Sequence, residues 1–200
     1  MNRLIIIGAS GHGKVVADIA ALNGYKDIVF LDNDSEIKAC AGYPVLGPDT
    51  MTSELDGEVF IAVGKAETRK KLMERDKTRS FPALVHPSAV VAKSAEIGAG
   101  SVVMAGAVIN PGAQIGKGCI INTSSSVDHD CVVGDYVHIS VGAHLSGTVV
   151  VGTGTWIGTG AIVSNDVNIC GECMIGAGAV VIRDINEPGT YVGVPARKSK

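Results

Sequence analysis

The sequence predicts an α/β domain with a Rossmann-like parallel sheet over residues 1–80, then a parallel β-helix over 84–185, then a short C-terminal tail at 186–200. Three observations predict it. Strand and helix signals alternate through the first eighty residues, a six-residue period runs unbroken through the next hundred, and aromatic residues make up only 4% of the chain.

In the first part, residues 4–7 are a short apolar run that reads as a buried strand. Val15, Val16, Ile19, Ala20 and Leu22 then recur at helical spacing and stop at Gly24, giving a helix that begins near Lys14. Residues 28–31 form a second strand, closed by Asp32, Asn33 and Asp34. Residues 59–63 form a third, followed by a charged helix over 65–75. Strand, glycine turn, helix, strand is the βαβ unit of a parallel sheet.

The turn itself, GASGHGKV at 8–15, fits a P-loop except at its last position, where Val15 replaces the Ser or Thr whose hydroxyl would bind magnesium. Nor is it a dinucleotide fingerprint, because Gly8, Gly11 and Gly13 are spaced G-x-x-G-x-G. What remains is a turn that aims backbone N–H groups and a helix N-terminus at an anion.

From Leu84 the chain divides into seventeen consecutive hexads, LVHPSA to VVIRDI, with Val, Ile or Leu at the second position of every one. Position six is Ala, Ser, Cys, Thr or Val in sixteen, and Ile185 in the last. Such a period marks a coil whose short sides stack on the coils above and below, with positions two and six turned inward. Three hexads per turn give between five and six coils. No charged residue or histidine falls at an inward position, so titratable chemistry is confined to corners and outer faces.

Composition removes several function classes. A net charge of -3 gives no basic field for a nucleic-acid backbone. The N-terminal apolar run is too short for a signal segment or a membrane span, and an odd count of five cysteines suits a reducing compartment. A cytoplasmic protein that contacts neither nucleic acid nor membrane is expected. Cys170 and Cys173 form one CxxC without a second pair, read as structural, and Cys119, Cys131 and Cys173 fall at inward position six as core filler.

The hexad SVDHDC departs most from the repeat. Position five is Gly, Ser or Thr in twelve hexads, and here it is Asp130, preceded by His129 and Asp128. A carboxylate bonded to one imidazole nitrogen fixes the tautomer and raises the basicity of the other, so His129 is a general-base candidate; a solvated corner is the alternative. His138 and His144 open consecutive hexads and so lie on different sides of the coil, unable to share one metal ion within a subunit. No metal centre is expected.

GASGHGKVV, FLDND, FIAVG, NTSSSVDHDCVVGDYVHISVGA and YVGVPAR occur in order along essentially the whole chain. Together they resemble the NeuD and PglD type of bacterial sugar acetyltransferases, and most of all the PglD-like enzymes that acetylate UDP-linked 4-amino sugars. The resemblance implies a left-handed β-helix and a homotrimer that binds acetyl-CoA between subunits. Ser10, Gly11 and His12 would contact the nucleotide sugar, Asp32 and Asn33 its uridine, and Gly64 would allow close approach. His129 would be the catalytic base and Asp130 the acid beside it. His138, Thr159 and Ala177 would line the coenzyme channel, and Gly147 would offer an oxyanion N–H. Two departures stand out: Asn33 replaces a second acid, and Asp130 stands where a relative has Glu. The implied reaction is direct attack of the sugar amine on the thioester. Acetylation of a sialic acid hydroxyl, or a non-catalytic sugar-nucleotide scaffold, are the alternatives.

Overall fold

The computed structural model describes residues 3–199 and divides between Pro87 and Ser88 into two compact units. The first unit is a five-stranded sheet with helices. Its elements are β1 (Arg3–Ile7), α1 (Gly11–Leu22), β2 (Asp27–Leu31), β3 (Ala39–Cys40), β4 (Tyr43–Gly47), β5 (Glu58–Ile61) and α2 (Ala66–Arg75). Strand order is β3-β4-β2-β1-β5, with β1 parallel to both β2 and β5. Leu4, Ile5, Ile6 and Ile7 are all buried, as expected of a central parallel strand covered on both faces. The order reverses at β1, so the crevice at the carboxyl ends of β1 and β5 is the place where such sheets bind ligands.

The first helix starts at Gly11, earlier than the apolar spacing implies. Apolar periodicity reports only the buried face, and the first turn is built from glycines that carry no such signal. A Cβ on Gly13 would run into the carbonyl oxygen of Gly8 and stand 3.1 Å from the Phe30 ring, so glycine is what lets α1 pack onto the turn. Gly8 sits at φ +108°, where a Cβ would also come within 2.8 Å of the Ala62 carbonyl oxygen. The hairpin β3–β4, with a two-residue strand and a proline in β4, and a short 3-10 helix, Asp49–Glu54, carry no apolar period for the pattern to announce.

In the second unit the hexads become two-residue strands that pair in parallel with the strands eighteen residues away. One face is Val90, Val108, Ser126, His144, Ile162, Val180 in register. A second is Glu96, Gln114, Val132, Val150, Asn168. The third is Val102, Ile120, His138, Trp156, Met174. Three hexads per coil and a parallel β-solenoid follow directly. From Ser101 to Ile185 every residue at positions two and six is buried.

Small polar groups inside this column are satisfied by the backbone: Ser101 Oγ donates to Gly116 O (2.8 Å) and Thr155 Oγ1 to Cys170 O (3.0 Å). In the tail, Gly189–Val192 pairs in parallel with Cys173–Ile175, and Arg197–Lys198 turns back antiparallel, extending the third face by two strands. Among the described residues no helix is long and apolar enough to cross a membrane.

Candidate active site

The corner at His129 is assembled from three successive coils. His129 Nδ1 lies 2.9 Å from Asp130 Oδ2, so the carboxylate holds the Nδ1 proton and leaves Nε2 as the basic nitrogen. Asp128 Oδ1 accepts from the His129 backbone N–H (2.7 Å) and from Asn110 Nδ2 (2.6 Å), pinning the chain on either side of the ring. The hydrogen bond that Nδ1–H donates to Asp130, with the charges of Asp128, Asp130 and Asp166, raises the His129 pKa above the usual imidazole value; partial desolvation opposes this. One coil on, Gly147 faces the imidazole so closely that a Cβ there would stand 2.5 Å from Nε2. Gly147 is buried, and its neighbour Thr148 donates its N–H to the His129 carbonyl (2.9 Å).

These shifts predict a direction. Removing the carboxylate in Asp130→Ala lets the His129 pKa fall, so the acid limb of the kcat/KM–pH profile moves to lower pH. The plateau drops by less than in His129→Ala, because a weaker base remains. A pH–rate profile checks this; movement of the limb to higher pH is the opposite outcome and would remove the orienting role.

On the neighbouring face, His138 Nε2 accepts from Asn122 Nδ2 (3.1 Å), whose own oxygen takes the Thr123 N–H (2.8 Å) and so sets the amide orientation. Its ring stacks on Trp156, centroids 5.0 Å apart. His144, on a different face as expected, meets Ser126 Oγ at 2.9 Å. Thr159 and Ala177 share one exposed corner, linked where the Gly178 N–H donates to Thr159 O (2.8 Å). Gly160 and Gly178 beside them are left-handed and open, which leaves that corner a strip of bare backbone.

The first unit holds the other set. Ser10 caps α1 without spending its hydroxyl on the helix, and no acid stands in the first turn, so the N-terminus faces outward as an anion cradle. His12 Nε2 is buried without a hydrogen-bond partner. Burial first, and then the charge of Arg69, depress the His12 pKa to about 4, so the ring is neutral at physiological pH.

Arg69, itself 1% exposed, donates Nη1 to Val63 O (2.9 Å) and Gly64 O (2.6 Å) and thereby shapes the loop after β5. In the sequence it is one charge among several in the helix expected over 65–75. Asp32 Oδ2 accepts from Ala9 N (2.7 Å) and Oδ1 from Asp34 N (2.9 Å), tying the glycine turn to the end of β2. Asn33 is bonded both ways with Asp49. A cavity of about 280 Å³ opens beside Asp32 and Asn33, lined also by Ile37, Lys38, Val45 and Pro48.

Of the residues expected from sequence, the structure groups His129 and Asp130 with Gly147, pairs Thr159 with Ala177, and gathers Ser10, Gly11 and His12 at one helix start. Asn122, Trp156 and Arg69 were missed. The eighteen-residue coil, once known, places Trp156 beside His138 and would have found it; nothing in the sequence marks Arg69 as buried.

An α/β unit with a glycine turn, followed by a hexapeptide solenoid bearing a corner His–Asp pair, is the architecture of the hexapeptide-repeat acyltransferase class. Comparison with known proteins narrows this. Residues 3–75 match the PglD N-terminal domain. The acetyltransferase domain of PglB from Neisseria gonorrhoeae is 41% identical with a TM-score of 0.97, each chain covered over 100%. That domain has also been solved in complex with acetyl coenzyme A. PerB from Caulobacter crescentus, solved with CoA and GDP-perosamine, is 36% identical with a TM-score of 0.93, covering 100% of this chain and 98% of that one. UDP-N-acetylbacillosamine N-acetyltransferase of Bacillus subtilis is 42% identical over 113 residues; the match spans 52% of this chain and 52% of that protein. The chain belongs to the PglD-type family of sugar acetyltransferases.

Proposed function

We propose that the protein transfers the acetyl group of acetyl-CoA to the 4-amino group of a UDP-linked 4-amino-4,6-dideoxy sugar. The observation that carries this reading is the His129–Asp130 pair, whose free Nε2 lies against the backbone of Gly147 on the next coil. The reading is supported by the relatives: one is named for a UDP-linked amino sugar, PerB was solved with CoA and GDP-perosamine, and the PglB domain with acetyl coenzyme A.

The amine attacks the thioester carbonyl, and His129 Nε2 takes the proton as nitrogen becomes cationic. The Gly147 N–H stabilises the tetrahedral oxyanion, and the coenzyme leaves as a thiolate. Asp130 keeps the imidazole in the tautomer that presents Nε2. No enzyme nucleophile is needed: Cys119, Cys131 and Cys173 are buried, and burial raises the thiol pKa of Cys131 and, most strongly, of Cys173, to about 12.

The sugar nucleotide occupies the first unit. Its diphosphate meets the start of α1, with Ser10, Gly11 and His12, and the buried His12 Nε2 gains a partner there. The base enters the cavity beside Asp32 and Asn33, and Gly64 gives the ligand room. CoA lies against His138, Thr159 and Ala177. A homotrimer acting in the cytoplasm, where acetyl-CoA is available, completes the reading.

The test is CoA-thiol release from acetyl-CoA with UDP- and GDP-linked 4-amino sugars and with sialic acid as acceptors. Turnover with the UDP-amino sugar is expected. Turnover with sialic acid alone would replace an amine acceptor by a hydroxyl.

A further inference from the structure

We propose that Trp156 is a positioning residue for His138, its indole fixing the imidazole plane so that the histidine presents a set surface to the acyl-thioester arm of the coenzyme. The proposal rests on the reading of His138 as a coenzyme contact. Trp156 and His138 are register partners on adjacent coils of one face. Their rings lie 23° from parallel with centroids 5.0 Å apart, within the range for stacked aromatic pairs.

The indole is itself held. Its Nε1–H donates to Ser140 Oγ at 2.6 Å, and Ser140 is only 4% exposed, so the donor is anchored into the wall of the coil. His138 is thus gripped at its edge by Asn122 and over its face by Trp156. An outward histidine on a two-residue strand has two free side-chain torsions; these contacts remove both. A purely structural role fits poorly, because Trp156 remains 38% exposed on an outer face and adds nothing to the inner column, which positions two and six fill alone. It is also the only tryptophan in the chain, in a protein whose repeat has little use for aromatics.

The experiment compares Trp156→Leu, which removes ring and donor, with Trp156→Phe, which keeps a stacking ring, in the full chain. Losing the stack is expected to weaken CoA binding, measured by calorimetry, about three- to tenfold. The KM for acetyl-CoA should rise by a similar factor, with kcat and the KM for the sugar nucleotide within about twofold. Phe should recover most of the loss.

In the unmutated protein, CoA should change the tryptophan emission saturably, with the calorimetric Kd. In a cycle with His138→Ala, the double variant should bind CoA no more weakly than His138→Ala alone. Additive losses, or Trp156→Leu binding CoA normally while His138→Ala binds weakly, overturn the role of Trp156. Normal CoA binding by His138→Ala would instead overturn the reading of His138, and the proposal with it. A fall in melting temperature with unchanged Kd would leave Trp156 merely structural and also overturn it.

Discussion

Replacing His129 by alanine is expected to lower kcat by roughly 10²–10⁴-fold, the size of a general-base contribution, without disturbing the fold. The reason is local. The side chain is 53% exposed and makes one hydrogen bond, to Asp130. The backbone bonds that build the corner, His129 N–H to Asp128 and Thr148 N–H to the His129 carbonyl, survive truncation. Thermal stability should therefore be unchanged while turnover collapses. KM values should move little, because the imidazole acts on the proton that is lost in the transition state rather than on ground-state binding. Steady-state kinetics with melting curves check this. A variant with full activity would remove His129 from the mechanism, and one that unfolds would show the corner depends on the ring after all.

The sequence reveals this corner because the repeat is strict enough for an exception to be visible. Position five is where the coil turns through the left-handed region, and glycine is the residue that does so without cost. At the His129 corner the same position holds Asp130, Thr148 and Asp166 on successive coils, at φ +58°, +60° and +60°. Aspartate tolerates this conformation better than most residues, but β-branched Thr148 is strained there, at a cost on the order of 1 kcal/mol. Thr148 Oγ1 contacts both Gly147 O and Asp166 Oδ1, so side chains link successive coils at this corner. Ser124, Tyr136 and Glu172 break the glycine pattern singly on the other corners, whereas here three successive coils do so.

Other parts are legible to different degrees for physical reasons. Inward positions two and six are readable because burial in a narrow column admits only aliphatic and small residues. Contacts between coils are not readable until the period is multiplied by three, which is why the partnership of His138 with Trp156 stays hidden although both residues are conspicuous. In the first unit, β1 declares itself as a doubly covered strand, whereas β4 alternates between half-buried and exposed residues and does not. Arg69 is least legible of all: its burial depends on the carbonyls of Val63 and Gly64, groups that no side-chain pattern reports.

Gly147→Ala tests the site from the opposite direction, with an expected loss in kcat of about 100-fold and little loss of stability. The added methyl would stand 2.5 Å from Nε2 and 2.7 Å from Cε1 of His129, closer than side-chain carbons approach other heavy atoms. Something must move by roughly 1 Å, and the ring is the mobile partner because it ends an exposed side chain. A displacement of that size at a reacting group is worth about 10² in rate. The alanine keeps its backbone N–H, so the oxyanion donor is still present and the loss reports displacement of the base. The double variant with His129→Ala separates the two effects. If Gly147→Ala acts through the ring, the pair should be no slower than His129→Ala alone; a further drop in the double variant would mean that the peptide at Gly147 had itself been disturbed. Retention of full kcat by Gly147→Ala would show that Nε2 does not need to sit where the glycine lets it, and would place the proton acceptor elsewhere on the corner.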